Sequence, residues 1–159
     1  MLGKYVCTFG DTRHISNPRE VAELSDFIKR KWKRLSLSEA KQIIVTANTL
    51  SDKKSFPRKE DILAIVAIES SFNKHAVSSA NARGLMQVLY KPTTHDIHHN
   101  MVDGVCLLKD YFRILKSEKA AITAYNVGIG NYLQGMRNDE YYNKYVMAKR
   151  LFDRKTRKA

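Results

Sequence analysis

Nowhere in this 159-residue chain is there an unbroken apolar run approaching the ~18 to 20 residues of a membrane span. Its first residues, Met1-Leu2-Gly3-Lys4-Tyr5-Val6-Cys7, lack the long apolar stretch of a signal peptide. The expectation is therefore a chain made in the cytoplasm with no membrane helix and no export signal of its own. Three prolines and seven glycines exclude collagen-like and Gly/Pro-rich disordered classes. Two cysteines, Cys7 and Cys106, are too few for a disulfide-built miniprotein, and without an export signal they are expected as free, buried thiols. No internal repeat or low-complexity tract occurs, which sets solenoids aside. Acidic residues are also short, 16 against 28 lysines and arginines, for a formal net charge of +12. Such a chain attracts anions; nucleic acid, anionic membranes and carboxylate-bearing cell-wall polymers all qualify, and charge does not choose among them.

What the chain does have is helical periodicity. At 43% hydrophobic and 28% charged it has the balance of a folded protein, and its length fits one domain. Residues 1–17 show no sustained period, and Asn17-Pro18 reads as a turn that opens a helix. Over 20–33, Val21, Leu24, Ile28 and Trp32 recur at helical spacing beside a basic run of Lys29, Arg30, Lys31, Lys33 and Arg34. Ser36-Leu37-Ser38-Glu39 fits a capping box and predicts a second helix to about Leu50. Residues 51–57 read as a connection, and 62–72, nearly all apolar, as a buried helix. Between 74 and 100 the period fades into loops with at most a short strand or helical turn. It returns over 103–116, with Val105, Leu108, Phe112 and Leu115 on one face; a short helix follows over 118–126, with Gly128 and Gly130 as stopping points. A last helix carries Tyr141, Tyr142, Tyr145, Val146 and Phe152 into a basic tail. The fold class is mostly α, a single compact helical domain with at most a small strand element.

One carboxylate sits where helix arithmetic places apolar residues. Glu69 falls seven residues after Ile62, four after Ile65 and three after Val66, with Phe72 three further on, so it shares the apolar stripe. A carboxylate held there without a cation loses hydration of its charged form; its pKa rises toward the working pH, as suits a general acid. Two structural alternatives stay open: an ion pair with a basic residue from elsewhere, or rotation to solvent.

Four strings follow one another along the chain. They are Glu69-Ser70-Ser71-Phe72-Asn73, Ala76-Val77-Ser78, Gly84-Leu85-Met86-Gln87, and Ala124-Tyr125-Asn126-Val127-Gly128-Ile129-Gly130. In order and spacing they resemble the motifs of the soluble lytic transglycosylase family, whose domain is similar to goose-type lysozyme. The resemblance covers residues 57–152. It implies a lysozyme-like fold and cleavage of bacterial peptidoglycan, with Glu69 as the catalytic acid/base. It further implies that Ser78 lies beside the sugar's acetamido group, that Met86 and Gln87 line the sugar groove, and that Tyr125 and Asn126 face the catalytic carboxyl. Tyr145, followed by Val146, looks like the family's late tyrosine, with Tyr141 and Tyr142 as competing alignments. Two departures concern the loop: Asn81 stands where the family has glycine, and Leu89-Tyr90-Lys91-Pro92-Thr93 shifts the usual Met-Pro-x-Thr by one residue.

Most glycosidases use two carboxyl groups, whereas substrate-assisted enzymes let a group of the sugar replace the second. The motifs supply only Glu69, which suits the mechanism the resemblance implies. There the N-acetyl group of N-acetylmuramic acid assists departure, and the sugar's own 6-hydroxyl closes a 1,6-anhydro ring. A goose-type lysozyme, the nearest alternative, wants a second acid, for which Asp96 and Asp103 are available. A basic nucleic-acid-binding module is the alternative from another class, but no helix-turn-helix or similar signature accompanies the charge, so no specific nucleic acid is expected. His95, His98 and His99 surround Asp96 without the His-Glu-x-x-His arrangement of a zinc site and read as a surface loop; no metal or cofactor is expected.

The expected organisation is an N-terminal helical extension over 1–52 packed on a catalytic domain over 53–153, then a basic tail over 154–159. The expected partners are peptidoglycan strands, an anionic envelope surface, and virion or secretion-apparatus proteins. A wall-cleaving chain without its own export signal needs a carrier, and the expected one is a phage virion or lysis system, with a bacterial secretion apparatus as the alternative.

Overall fold

The structure is a computed structural model that describes residues 7, 9, 16–89 and 95–158. It is 66% helical, with seven helices and one two-stranded sheet among the described residues. None of these helices is long and apolar enough to cross a membrane.

Helix α1, Pro18–Lys31, starts as its sequence requires: the Asn17 side chain accepts the Arg19 amide and proline occupies the first turn. Helix α2, Leu37–Leu50, opens with the expected capping box, in which Ser36 Oγ accepts the Glu39 amide at 3.1 Å and the Glu39 carboxylate accepts the Ser36 amide at 2.7 Å. Helix α3, Lys59–Ser70, is buried on nearly every side, with Ile62, Leu63, Ile65 and Val66 all in the core. Around it lie Leu24 and Ile28 of α1, Ile43, Ile44 and Leu50 of α2, and Phe152 near the chain's end.

Strands β1, Ala82–Arg83, and β2, Val88–Leu89, form an antiparallel pair with Ala82 opposite Leu89 and Arg83 opposite Val88. The turn between them uses Gly84 at φ 79° and Gln87 at φ 50°, both left-handed. The departure at Asn81 is resolved here, because asparagine takes the positive φ, 62°, that a glycine would supply. The shifted segment 90–93 lies outside the described residues.

Helix α4, Ile97–Leu115, begins six residues before the predicted start. Asp96 caps it by accepting the His99 amide, so His98 and His99 belong to its first turn and not to a surface loop. The apolar pattern hid this start because the stripe Ile97, Met101, Val105, Leu108 includes a buried asparagine, Asn100, whose hydrogen bonds are made to the hairpin. Helix α5, Glu118–Val127, ends at Gly128 as expected, yet the chain turns at once into an unpredicted short helix α6, Ile129–Leu133, which contains Gly130. Helix α7, Asp139–Thr156, takes up the first residues of the expected tail and packs most extensively on α3.

Cys7 and Cys106 correct the expectation of free thiols: they form a disulfide with Cα atoms 5.6 Å apart, across 99 residues of sequence. The expectation rested on compartment, whereas pairing depends on proximity. The fold lays this early segment against α4, where Phe9 packs on the core with Lys109 Nζ 4.5 Å from its ring centre.

Candidate active site

Glu69 stands in the last turn of α3, and the chain leaves that helix abruptly. Ser71 and Phe72 are both left-handed, at φ 50° and 59°. For a bulky aromatic this conformation is strained, and it persists only where the surroundings enforce it. Here Phe72 is 2% exposed, with its ring 4.5 Å from Trp32 and 6.2 Å from Phe152. The aromatic cluster thus fixes the exit of the chain immediately after Glu69.

The Glu69 carboxylate is half-buried and accepts a hydrogen bond from the Tyr141 hydroxyl at 2.5 Å. Burial raises its pKa above the ordinary carboxylate range, and the Tyr141 hydrogen bond, which favours the charged form, opposes that shift without cancelling it. Among the described residues no lysine, arginine or histidine pairs with it. Among the described residues, neither structural alternative left open by the sequence applies: the carboxyl has no cationic partner there, and it is not turned out to solvent.

Tyr125, on α5, donates its hydroxyl to the backbone carbonyl of Met86 at 2.6 Å. Its pKa is pushed well up, by burial first and then by the charge of Glu69, which places the hydroxyl within electrostatic reach of that carboxylate. Met86 takes part through its backbone alone. Its side chain is 0% exposed and lies on Gly104 of α4, where a Cβ would meet Met86 Cβ and Sδ at 2.7 Å. Close approach to that glycine buries the side chain, so it is the Met86 backbone that meets Tyr125. The Met86 amide donates to Asn100, which in turn donates to the Arg83 carbonyl, so α4 holds the hairpin from behind.

Ser78 and Gln87 shape the same hairpin. Ser78 Oγ accepts the Ala82 amide at 3.0 Å, and Gln87 Nε2 donates to the carbonyls of Ala76 and Gly84. Asn126 is exposed and accepts from Asn138 Nδ2 at 2.8 Å, while Asn138 Oδ1 caps α7 through the Tyr141 amide. The Ala-Tyr-Asn segment is thereby linked to the first turn of the helix that brings Tyr141 to Glu69.

Tyr145 is placed elsewhere. It is 3% exposed and gives its hydroxyl to Asp61, which also pairs with Lys149 at 2.7 Å. One turn earlier on α7, Tyr141 holds the position at Glu69. Sequence reasoning did not select Tyr141, Asn138, Asn100 or Asp61. Asking which of 141, 142 and 145 shares a helix face with Phe152 removes Tyr142 but admits both 141 and 145, so the helical period alone does not choose between them. Asp96 is engaged at its cap and with His99 Nδ1 at 2.8 Å, and no group of three potential metal ligands occurs among the described residues.

Comparison with known proteins agrees with this geometry. The chain is 32% identical over 105 residues to a membrane-bound lytic murein transglycosylase C of Photorhabdus laumondii subsp. laumondii, an alignment covering 50% of this chain and 29% of that protein. It is 34% identical over 111 residues to the protein of the same name from Mannheimia succiniciproducens, covering 51% and 30%. The chain thus spans less than a third of the length of these curated relatives. No solved structure matches it significantly. The family model described as the transglycosylase SLT domain matches residues 48–147, well over half of the sequence, and the chain belongs to that family.

Proposed function

We propose that this chain is a peptidoglycan lytic transglycosylase, cleaving the β-1,4 bond between N-acetylmuramic acid and N-acetylglucosamine with Glu69 as acid and then base. The observation that carries the reading is a half-buried carboxyl with a raised pKa, a tyrosine donor and no cation. Protonated at the start, Glu69 gives its proton to the glycosidic oxygen as the bond to the anomeric carbon breaks, with the acetamido group of the same sugar assisting. The carboxylate left behind is stabilised by the Tyr141 hydroxyl, a charge-assisted hydrogen bond at 2.5 Å. The sugar's 6-hydroxyl oxygen then attacks the anomeric carbon and returns its proton to Glu69, closing the 1,6-anhydro ring without water.

Tyr125, from α5, and Ser78, beside the hairpin, serve as fixed polar walls beside the sugar, and Gln87 and the Met86 backbone hold the hairpin against them. Tyr141 takes the role expected of Tyr145. Hydrolysis in the manner of goose-type lysozyme is less well supported, since Asp96 is engaged in capping α4. Within the expected extension over 1–52, helices α1 and α2 act as a layer on the catalytic part; contacts of α1 with α7, and of α2 with α3 and α4, support this. The site of action is the cell wall outside the cytoplasm, and the Cys7–Cys106 disulfide suits such an oxidising compartment. Delivery by a phage virion or lysis system is the route proposed, against relatives that are bacterial and named membrane-bound.

The test is mass spectrometry of soluble fragments released from purified Gram-negative peptidoglycan by the parent and by Glu69→Gln. Fragments ending in 1,6-anhydro-N-acetylmuramic acid, absent from the variant digest, are expected. Reducing-end fragments assign a lysozyme instead, and an absence of fragments from folded parent protein overturns the enzymatic reading.

A further inference from the structure

The surface is hollowed where the end of α1 meets the end of α3. A cavity of about 470 Å³ has Lys31, Trp32, Lys33 and Arg34 on one side and Ser71 and Asn73 on the other. Arg34 and Asn73 also line a second cavity of about 160 Å³, whose wall adds Lys74 and His75, so the two form one trough. None of the described residues lining the larger part is acidic. In the smaller part Glu39 is committed to Lys74 at 2.8 Å and to the Ser36 amide. Lys31, Lys33 and Arg34 are exposed, and no carboxylate among the described residues pairs with them. The trough therefore holds three cations without a carboxylate partner among the described residues.

Two features narrow what this trough takes. The Trp32 ring is packed against Phe72 at 4.5 Å and has Lys31 Nζ 5.4 Å from its centre, so it forms wall and is not an open platform for a sugar ring. Both helix ends that face the larger part are C-terminal, α1 at Lys31 and α3 at Ser70, while the smaller part meets the first turns of α2 at Glu39 and of α4 at Ile97. In the larger part the carbonyls favour cations and supply no cradle of amides for a compact phosphate, and in the smaller part the Glu39 carboxylate already occupies the start of α2. Spaced side-chain cations of this kind suit separate monoanions along a flexible chain.

Position supplies the rest. A cation touching Glu69 would stabilise its carboxylate and undo the raised pKa that protonating a glycosidic oxygen needs. Charge that attracts an anionic polymer must then be held off the cleft, and the trough begins at Ser70, the residue after Glu69, while its cations come from the far wall at the end of α1. Lys31, Lys33 and Arg34 also precede residue 48, so they are supplied by a part of the chain outside the family match.

We propose that this trough is a second binding site, which takes the carboxylates of peptidoglycan stem peptides while a glycan strand occupies the cleft at Glu69. It rests on the reading of the cleft given above. The trough draws the enzyme to stem-bearing strands and leaves the chemistry at Glu69 to the neutral sugar.

The experiment uses the full chain in the Glu69→Gln background, which prevents turnover, and measures cosedimentation at physiological salt with insoluble peptidoglycan and with glycan strands stripped of stem peptides by an amidase. Lys31→Gln, Lys33→Gln and Arg34→Gln are combined in one variant, with Arg34→Gln alone as a second, since Arg34 reaches both cavities. Expected are tighter binding of intact than of stripped material, loss of about tenfold affinity for intact material in the combined variant, a smaller loss in the single variant, and a much smaller loss on stripped strands, whose muramic acids each keep one lactyl carboxylate after the amidase cut. Unchanged binding to intact material overturns the proposal, as do equal losses on both materials or tighter trough-dependent binding of a phosphate-bearing wall polymer. A parent that releases no anhydro fragments from either material refutes the reading of the cleft, while the binding comparison still decides the trough.

Discussion

Helix α3 presents two carboxylates to α7, two turns apart, and each receives a tyrosine hydroxyl from that helix. Asp61, 1% exposed, is held by Tyr145, by the Arg58 amide at 2.8 Å and by Lys149 at 2.7 Å. Glu69, less deeply buried, is held by Tyr141 alone. The Lys149 ammonium would be pushed down by burial, but Asp61 holds it above its ordinary value. Two groups of the same chemistry in one interface thus serve different ends, and the difference is the cation. With Lys149 present, Asp61 is one half of an ion pair that fastens α3 to α7. With no cation beside it among the described residues, Glu69 has a charged form that burial makes costly, which suits the acid/base role proposed for it.

The largest effect expected from breaking this contrast is on turnover. Glu69→Gln should lower the rate of fragment release by at least about 10²- to 10⁴-fold, the usual contribution of a positioned acid/base, with no loss of thermal stability. A variant that retains activity, or fails to fold, shows that Glu69 is a second Asp61. The complementary change is Lys149→Met, which leaves Asp61 buried and without its ion-pair partner. We expect a cost of about 3 kcal/mol in urea unfolding, with the rate per folded molecule little altered. Parent-like stability in that variant would mean that the cation does not distinguish the two sites.

Much of this arrangement is legible in the sequence. Ser36 and Glu39 announce the start of α2 because both halves of a capping box lie within four residues. Glu69 stands out because a single charge in an apolar helical stripe is visible without any partner. What escaped depends on partners distant in the chain. Tyr141 and Tyr145 share a face of α7, and only the docking of α7 on α3, 72 residues apart at the Tyr141–Glu69 contact, assigns one to each carboxylate. Asn100 blurred the start of α4 because a buried polar residue breaks the apolar period, although its hydrogen bonds to Met86 and Arg83 make it a fixed part of the interior. The Cys7–Cys106 pair escaped because an argument from compartment carries no geometry.

A smaller effect sharpens the comparison at Tyr141. Its hydroxyl donates to Glu69 and favours the charged form. Tyr141→Phe should therefore raise the Glu69 pKa further. Because the reaction begins with the acid form, activity falls as pH rises through that pKa, so the alkaline limb of kcat/KM against pH should move upward in the variant. An unmoved or lowered limb in an active variant would mean that the hydroxyl does not stabilise the carboxylate.

The smallest expected effect concerns stability, and its sign follows from the same shift. Glu69 binds its proton more tightly in the folded protein than in the unfolded chain, because burial raises its pKa. Below the ordinary carboxylate range both states are protonated, and the group makes no demand on folding. As pH rises, the unfolded chain releases the proton first, which favours unfolding until the folded pKa is passed; above it the full cost of a buried charge remains. Glu69→Gln has no charge to release. Its melting temperature relative to the parent should therefore be nearly level at low pH and should climb as pH rises through the carboxylate range. For Asp61, tied to Lys149, no such gain is expected from Asp61→Asn, which removes a partner that the buried ammonium uses. If the two amide substitutions changed stability with pH in the same direction, the division of α3 into a fastening carboxylate and a working one would fail.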